Sequence, residues 1–449
     1  MGRHLVNMTL PVLLGIATMM GQAFVDAWFL GRVGDHALAA HAFGFPVWMI
    51  ITSVAIGLGA GTSSVVARAI GAGDEQRAQR LTTDSVLLSF TITAALSLLG
   101  VLTIDPLFRL LGAPEDMISL IRGFMTILYA GIPFVVVGMV GMASMRATGD
   151  TRLPSKLMII GSILNVALDP VLIFGFGPVP AMGLNGAAMA ALLARGAIFL
   201  GTIYLLASRL NMISFAWPAG ADVRRSWRDI LHVGIPAAGT NTIVPMTTAI
   251  ITALIAGFGP EAVAGFGVAS RVESLLLVIY YALSAIIGPF VGQNFAAGKE
   301  QRILLALRLS MIFCLASGLL IAGLLAVSAG FVSSLFSDSD AVIDVTRIFL
   351  WIAPLSYGSY GLVMVMNASL NGLGRPLPAV VISLARTIIL YLPLALVARH
   401  WFGIAGIFAA YAVANIVTGV IAYVLATRTV REHCRSRASN VLAQGQSRP

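Results

Sequence analysis

Long apolar stretches recur along the whole chain of 449 residues, and no polar segment of domain size separates them. A helix needs roughly 20 mostly apolar residues to cross a lipid bilayer. Charged residues make up only 10% of the sequence, whereas soluble domains carry about 25%. We therefore predict an all-α polytopic membrane protein with twelve spans, near residues 8–30, 42–67, 83–104, 120–145, 157–176, 184–207, 231–258, 263–292, 309–331, 345–370, 378–398 and 403–427.

The net charge of +9 and the cysteine content restrict the partners of the chain. Lys and Arg lie in short clusters between the spans rather than on one continuous face with aromatics, which argues against nucleic acid. Cys314 and Cys434 are the only cysteines, too few for a disulfide framework or a cysteine-based metal site. We expect the lipid bilayer and a small molecule as partners, no cofactor, and a monomer.

The distribution of basic residues predicts how the spans are oriented. With a cytoplasmic amino terminus, 20 Lys and Arg lie in segments on the inside, 5 lie outside and 3 lie within spans. Short cytoplasmic loops carry the excess of Lys and Arg in membrane proteins. The sequence therefore predicts that both termini face the cytoplasm, in a multi-pass protein of the plasma (bacterial inner) membrane.

The two halves of the chain repeat each other at an offset of 225 residues. The offset relates Pro11 to Pro236, Gly34 to Gly259, and the Glu-Gln-Arg run at 75–77 to the run at 300–302. Six spans separate the copies, so the halves are parallel repeats related by a pseudo-two-fold axis along the membrane normal, an architecture typical of transporters. The predicted parts are an amino-terminal six-helix lobe (1–207), a cytoplasmic inter-lobe loop (208–229), a carboxy-terminal six-helix lobe (230–427) and a cytoplasmic basic tail (428–449).

Two carboxylates and an amide lie at membrane depth in the first half. Asn165 and Asp169 share one face of span 5, and Asp26 lies at a comparable depth in span 1. Ionisable groups inside a bilayer are costly and generally functional. We predict that the three side chains meet in one pocket, although the two acids alternatively reach the membrane interface separately. The residue equivalent to Asp26 in the second half is Ile251, which assigns this chemistry to the first lobe.

Further charged side chains lie within the spans, and the sequence leaves the roles of Arg195, Arg386 and Glu273 open. Arg195 and Arg386 either balance charge or line a cavity. Glu273 either neutralises a buried arginine such as Arg386 or takes part in transport.

Several segments resemble the multidrug and toxin extrusion (MATE) transporters across essentially the whole chain. The resemblance is carried by Arg146–Pro154, Asn165–Gly175, Gly183–Ala188, Val291–Asn294, Asn371–Pro376 and the early helix from Pro11 to Asp26. It implies two six-helix lobes and export of organic cations and drugs against inward Na⁺ or H⁺. It also implies that Asp26, Asn165 and Asp169 form the cation or proton site and that the first helix bends at Pro11.

The chain departs from the family pattern at two places. Ala191 stands where the sixth helix often has a threonine that supplies an oxygen ligand, which favours coupling to H⁺ over Na⁺. Span 7 has no acid, and span 10 offers Tyr357, Tyr360 and Asn367 where one branch carries an acid. The chain therefore resembles the DinF-like branch, with Tyr360 and Asn367 as candidate cavity residues.

Two alternative functions remain beside export of a lipophilic organic cation. A flippase for lipid-linked oligosaccharides belongs to the same superfamily and is expected to have a strongly basic cavity. An intramembrane aspartyl protease would use Asp26 and Asp169 as its catalytic pair. Such enzymes need Tyr-Asp and Gly-x-Gly-Asp contexts, whereas these acids follow Val25 and Leu168, so we do not expect an enzyme.

Overall fold

A computed structural model describes residues 1–214, 216 and 220–446 of the chain. Residues 215 and 217–219 of the predicted inter-lobe loop lie outside the described residues, as do residues 447–449 and the side chains from 435 onward in the predicted tail. Within the described part the chain is helical between its loops, and the one isolated β-bridge there joins Phe176 to Val179.

The first half contains six long apolar helices, α1 to α6. Two shorter helices, Asp35–Phe43 and Ile104–Leu110, follow α1 and α3. The long helices are α1 (Gly2–Val33), α2 (Phe45–Gly71), α3 (Glu75–Leu102), α4 (Glu115–Ala147), α5 (Arg152–Phe174) and α6 (Gly183–Arg209).

The second half contains α7 to α12, and several of these helices are interrupted. Helices α8 and α10 each consist of consecutive helical segments. Gly403, with a non-helical φ of 58°, separates α11 from α12. The bounds are α7 (Gly220–Ala256), α8 (Pro260–Leu276 and Val278–Ala296), α9 (Glu300–Ser334), α10 (Asp340–Gly372), α11 (376–402) and α12 (404–446).

The helices confirm the predicted fold class. In the described residues, 11 helical stretches are long and apolar enough to cross a membrane. The last of them, Pro376–Cys434, spans 59 residues and contains the break at Gly403. It therefore supplies two membrane helices, which gives the twelve that the sequence predicts.

The predicted inter-lobe loop is shorter than expected, because α7 already begins at Gly220. Residues 220–229 are helical. This polar first part of α7 is held by hydrogen bonds: Arg77 donates to Ser226 Oγ at 3.2 Å and to Asp229 Oδ2 at 3.3 Å. Trp227 Nε1 donates to the backbone carbonyl of Asp84 at 3.1 Å. These contacts with α3 extend the helix beyond its apolar stretch, where hydropathy alone gives no signal.

The chain forms two compact units, which differ from the predicted lobes at their edges. The amino unit comprises residues 10–70 and 74–238, and the carboxy unit comprises residues 1–9, 71–73 and those from 239 onward. The chain passes between units beside Pro11 and again beside Pro236, the two prolines that the repeat relates. The exact limits of the lobes stay a prediction.

The internal repeat is present in the backbone conformation as well as in the sequence. Glycines with positive φ, a region that side chains with a Cβ rarely adopt, recur at equivalent points of both halves. The pairs, with their φ values, are Gly34 (138°) and Gly259 (109°), Gly73 (77°) and Gly298 (71°), Gly149 (93°) and Gly374 (75°), and Gly183 (55°) and Gly403 (58°). These glycines therefore mark the boundaries of equivalent helices in each half.

Within the amino unit, α2 packs against α7 through glycines that let the backbones approach closely. A Cβ added at Gly57 would lie 2.5 Å from the Cβ of Ala238 and 2.6 Å from the carbonyl oxygen of Gly234. A Cβ at Gly61 would lie 2.3 Å from the carbonyl oxygen of Ile230. Small residues four apart are typical of close helix pairs in membranes.

We expect Gly57→Val to destabilise the protein by about 1–3 kcal/mol, because the new side chain separates two backbones that cannot yield. The matched control is Gly196→Val in α6, where an added Cβ meets nothing within 4 Å. Thermal unfolding of both purified variants in detergent measures the difference. Equal unfolding temperatures for the two variants would show that the α2–α7 contact does not need glycine.

Candidate functional site

The structure brings Asp26, Asn165 and Asp169 together in the amino unit. The Asn165 amide nitrogen donates to Asp169 Oδ1 at 3.1 Å, as the spacing of four residues on α5 predicts. The carboxyl groups of Asp26 and Asp169 lie within hydrogen-bonding reach of each other. Asn165 and Asp169 are only 2% and 1% exposed. The prediction that α1 and α5 share one polar pocket therefore agrees with this geometry.

Gln22 completes this pocket, and the sequence reasoning missed it. Its amide nitrogen donates to Asn165 Oδ1 at 2.6 Å and to Asp26 Oδ2 at 3.3 Å. Gln22 precedes Asp26 by four residues, so both lie on one face of α1. This spacing was the sequence signal that could have identified Gln22 as part of the pocket. We call Gln22, Asp26, Asn165 and Asp169 the polar cluster.

One oxygen of each carboxyl group in the polar cluster has no donor. Asp26 Oδ1 and Asp169 Oδ2 are buried and lack a hydrogen-bond partner within the described part of the chain. Two neighbouring carboxylates resist ionising together, and a proton on one can hydrogen-bond to the other. The arrangement can therefore take up and release a proton, or attract a cation to the unprotonated pair.

Arg195 lies in the same unit and is stacked on an aromatic ring. Its guanidinium carbon is 4.2 Å from the ring centroid of Trp48 in α2, a cation–π contact. Arg195 and His41 both interact electrostatically with Asp26. The charge-balancing role of Arg195, one of the two that the sequence left open, remains a prediction.

Pro11 lies in the interior of α1, nine residues after the helix begins at Gly2. Proline lacks the N–H that would bond to the carbonyl four residues earlier, which weakens the helix at that point. The transition between compact units beside Pro11 falls at the same place. The proposed role of Pro11 as a hinge remains a prediction.

We expect Pro11→Ala to keep the fold and to slow transport several-fold, because alanine restores the missing hydrogen bond and stiffens α1. Initial rates of substrate transport, normalised to the amount of protein in the membrane, measure this effect. The matched control is Pro133→Ala, which removes a proline from the interior of α4. Unchanged turnover in Pro11→Ala would remove Pro11 from the transport cycle.

The carboxy unit contains a cavity of about 150 Å³ that is lined by Glu273, Arg386 and Tyr360 among others. Glu273 accepts a hydrogen bond from the Tyr411 hydroxyl at 3.0 Å, whereas Arg386 donates to Asn415 Oδ1 at 3.1 Å. Glu273 and Arg386 therefore share a cavity without forming an ion pair in the described residues. Arg386 lies over the ring of Tyr360, 4.5 Å from its centroid.

Asn367 lies outside this cavity lining. Its amide nitrogen donates to the Ser383 hydroxyl at 3.0 Å, and the residue is 8% exposed. This contact links α10 to α11. Of the carboxy-unit residues predicted as cavity candidates, Glu273, Arg386 and Tyr360 meet and Asn367 joins two helices.

The model of the MatE family matches the chain twice, at residues 11–171 and 236–397. The matches begin 225 residues apart, the same offset that the internal repeat shows. The chain belongs to the MatE family of transporters, which confirms the resemblance drawn from the sequence.

Relatives of known name cover almost the whole chain. A protein of Shewanella oneidensis named FAD transporter is 40% identical over 427 residues, or 95% of this chain and 94% of that protein. A probable multidrug resistance protein of Bacillus subtilis, YoeA, is 26% identical over 92% of this chain and 89% of its own length. The crystal structure of the Vibrio cholerae MATE transporter VcmN matches with a TM-score of 0.92 and 31% identity, covering 96% of this chain and 97% of that chain.

The family assignment decides between the functional classes considered for the sequence. The protein is a multi-pass membrane transporter of small molecules and not an enzyme. The protease alternative is wrong, and the two acids of the polar cluster do not form a proteolytic pair.

Proposed function

We propose that the protein is a secondary active antiporter that exports organic cations in exchange for protons. The observation that carries this proposal is the pair of interacting carboxyl groups of Asp26 and Asp169, each of which has a buried oxygen, Asp26 Oδ1 and Asp169 Oδ2, without a hydrogen-bond partner in the described residues. A proton and a cationic substrate compete for the same negative charge. Multidrug resistance proteins among the relatives support a substrate of this class.

The competition gives a complete export cycle by alternating access. When the polar cluster opens to the more acidic outside, a proton binds the carboxyl pair and the cation leaves. When it opens to the cytoplasm, the proton leaves and the restored negative charge attracts the next cation. Only a shared site and two access states are required.

Protons fit this pocket better than Na⁺, which is the alternative coupling ion. A hard cation prefers a shell of several oxygen ligands. The side-chain oxygen of Asn165, Oδ1, already accepts a hydrogen bond from the Gln22 amide. Ala191 supplies no oxygen at the position where the family often has threonine. Asp26 and Asp169 then offer two free oxygens, enough for a shared proton.

Purified protein in liposomes tests the proposal with each gradient applied separately. Tetraphenylphosphonium serves as the substrate, since it is a lipophilic cation without ionisable groups. We expect a pH gradient alone to drive its accumulation and a Na⁺ gradient at equal pH to have no effect. Accumulation driven only by the Na⁺ gradient would assign the coupling to Na⁺.

A flavin dinucleotide is the second candidate substrate. The relative named FAD transporter is 40% identical over almost the whole chain, and the cavity of the carboxy unit combines an arginine with several aromatic side chains. Radiolabelled FAD in the same liposomes tests this candidate. The flippase alternative has no such support, because among the described residues one arginine, Arg386, lines the carboxy cavity and the acid Glu273 lines it too.

We further propose that the protein works as a monomer in the plasma membrane with both termini in the cytoplasm. The excess of 20 basic residues over 5 between the two sides of the spans supports this orientation. Cysteine accessibility to a membrane-impermeant reagent, with cysteines placed at Gly2 and Gly112, checks it.

A further inference from the structure

Aromatic rings form one wall of the cavity in the carboxy unit. The ring centroids of Phe349 and Phe408 lie 4.9 Å apart at 85°, and those of Phe266 and Phe408 lie 6.3 Å apart at 19°. Tyr411 stacks on Phe349 at 6.5 Å. These rings offer both faces and edges to a guest, which is the environment that planar aromatic molecules prefer.

Three polar groups of the residues that line the cavity lack hydrogen-bond partners in the described part of the chain. Arg386 Nε, the Tyr391 hydroxyl and the Ser270 hydroxyl are buried and make no hydrogen bond within the described residues. Arg386 is 6% exposed and Tyr391 is 1% exposed. Unpartnered polar groups in an apolar site are costly, and a ligand with matching groups relieves that cost.

A π-helical turn in α11 places two of these groups on one side. Residues Ala385–Tyr391 form this turn. In an α-helix with 3.6 residues per turn, Arg386 and Tyr391 would point about 140° apart. Hydrogen bonding from i to i+5 widens the turn and returns the fifth residue close to the same face. Because this wider turn is inserted, both residues line the cavity.

We propose that this cavity binds the edge of a planar aromatic heterocycle that carries a hydrogen-bond acceptor beside an N–H donor. The Arg386 guanidinium donates to the ring carbonyl, the Glu273 carboxylate accepts from the ring N–H, and the phenylalanines hold the ring. The imide edge of a flavin has this pattern. A cavity of about 150 Å³ holds about one ring, since a dry cavity of about that size holds benzene. The proposal rests on the second candidate substrate of the proposed function.

The arrangement also explains why Glu273 and Arg386 occupy one cavity without an ion pair. Their opposite charges interact, while each group makes its hydrogen bond to a different neighbour. Tyr411 orients Glu273, and Asn415 orients Arg386. Asn415 in turn donates to the Ser356 hydroxyl at 3.1 Å. Both recognition groups are therefore fixed by neighbours from α10 and α12.

Equilibrium dialysis of riboflavin against purified protein in detergent, with no ion gradient, tests the inference. We expect riboflavin to bind, and we expect Arg386→Met and Glu273→Ala each to weaken binding about tenfold or more, the loss typical of a hydrogen bond to a charged group. Arg271→Met is the matched control, because Arg271 is exposed on α8. Absence of riboflavin binding to the wild type, or wild-type affinity in both cavity variants, would overturn the inference.

Methylation of the flavin imide nitrogen isolates the contact with Glu273. We expect 3-methylriboflavin to bind the wild type more weakly than riboflavin, and we expect Glu273→Ala to remove that preference. A preference that persists in Glu273→Ala assigns the imide edge elsewhere and overturns the inference. Tyr391→Phe removes one hydroxyl without changing the shape of the cavity, and it is expected to weaken riboflavin binding even if Arg386→Met fails to fold.

The Asp169→Asn variant distinguishes ligand binding in the carboxy-unit cavity from ion coupling at the polar cluster. We expect the variant to bind riboflavin as the wild type does, because its substitution lies in the amino unit. If the wild type shows no proton-driven transport but binds riboflavin with the expected dependence on Arg386, the proposed antiport mechanism is wrong and this inference stands. Riboflavin binding that is lost in Asp169→Asn places the ring in the polar cluster and overturns the inference.

Discussion

Replacement of Asp169 by asparagine is expected to abolish coupled export while the protein still folds. Asparagine has nearly the same shape and can still accept from the Asn165 amide nitrogen, which donates to Asp169 Oδ1 in the structure. It cannot bind or release a proton. We therefore expect accumulation of tetraphenylphosphonium against its gradient to fall to the level of empty liposomes, a loss of about tenfold or more in rate, equivalent to at least about 1.4 kcal/mol.

The control for this experiment is Asp116→Asn, which changes an exposed carboxylate in the first turn of α4. Both variants are compared with the wild type at equal amounts of protein in the liposomes. Thermal unfolding confirms that each is folded. Uphill transport by Asp169→Asn at the wild-type rate would show that the polar cluster does not couple the ion to the substrate.

The affinity for an organic cation is expected to fall as pH decreases, and Asp26→Asn is expected to flatten this dependence. Below the pH at which the carboxyl pair gains its proton, the pair loses the negative charge that attracts the cation. Above that pH the charge is present and affinity reaches its maximum. With one carboxylate replaced, the remaining acid no longer has a second negative charge beside it, so the pair no longer takes up a shared proton and the pH dependence flattens.

Binding of tetraphenylphosphonium in detergent between pH 5 and pH 9 measures this dependence without any gradient. Gln22→Met keeps both carboxylates and removes only the amide that donates to Asp26 and Asn165, so we expect a pH dependence whose midpoint shifts but whose amplitude stays. An Asp26→Asn variant with the same pH dependence as the wild type would reassign the coupling, with Glu273 or Na⁺ as the remaining candidates.

The fold could be predicted from the sequence because the bilayer imposes a simple rule on composition. Every span must be apolar over roughly 20 residues, so the twelve helices and their repeat are visible as runs and as a constant offset. The helix ends were less accessible. The first turns of α7 are polar, and tertiary contacts from Arg77 and Trp227 hold them in place. Hydropathy does not register contacts of that kind.

The candidate site was partly accessible for a related reason. Carboxylates in apolar spans are rare, so Asp26 and Asp169 were visible as single residues, and a spacing of four residues linked Asn165 to Asp169. Gln22 was missed despite its spacing of four residues from Asp26, because a glutamine in a span is less unusual than an acid. The shared face of Arg386 and Tyr391 could not be predicted from the sequence, since it depends on a π-helical turn that no residue pattern in α11 specifies.

Proton release on cation binding tests the central claim most directly. The claim is that one carboxyl pair binds either a proton or a cationic substrate. Purified protein in weakly buffered detergent near neutral pH is mixed with tetraphenylphosphonium, and a pH-sensitive dye reports released protons. We predict about one proton per cation bound for the wild type and none for Asp169→Asn, since a shared carboxyl pair exchanges one for the other. Saturating binding to the wild type without proton release would contradict the account.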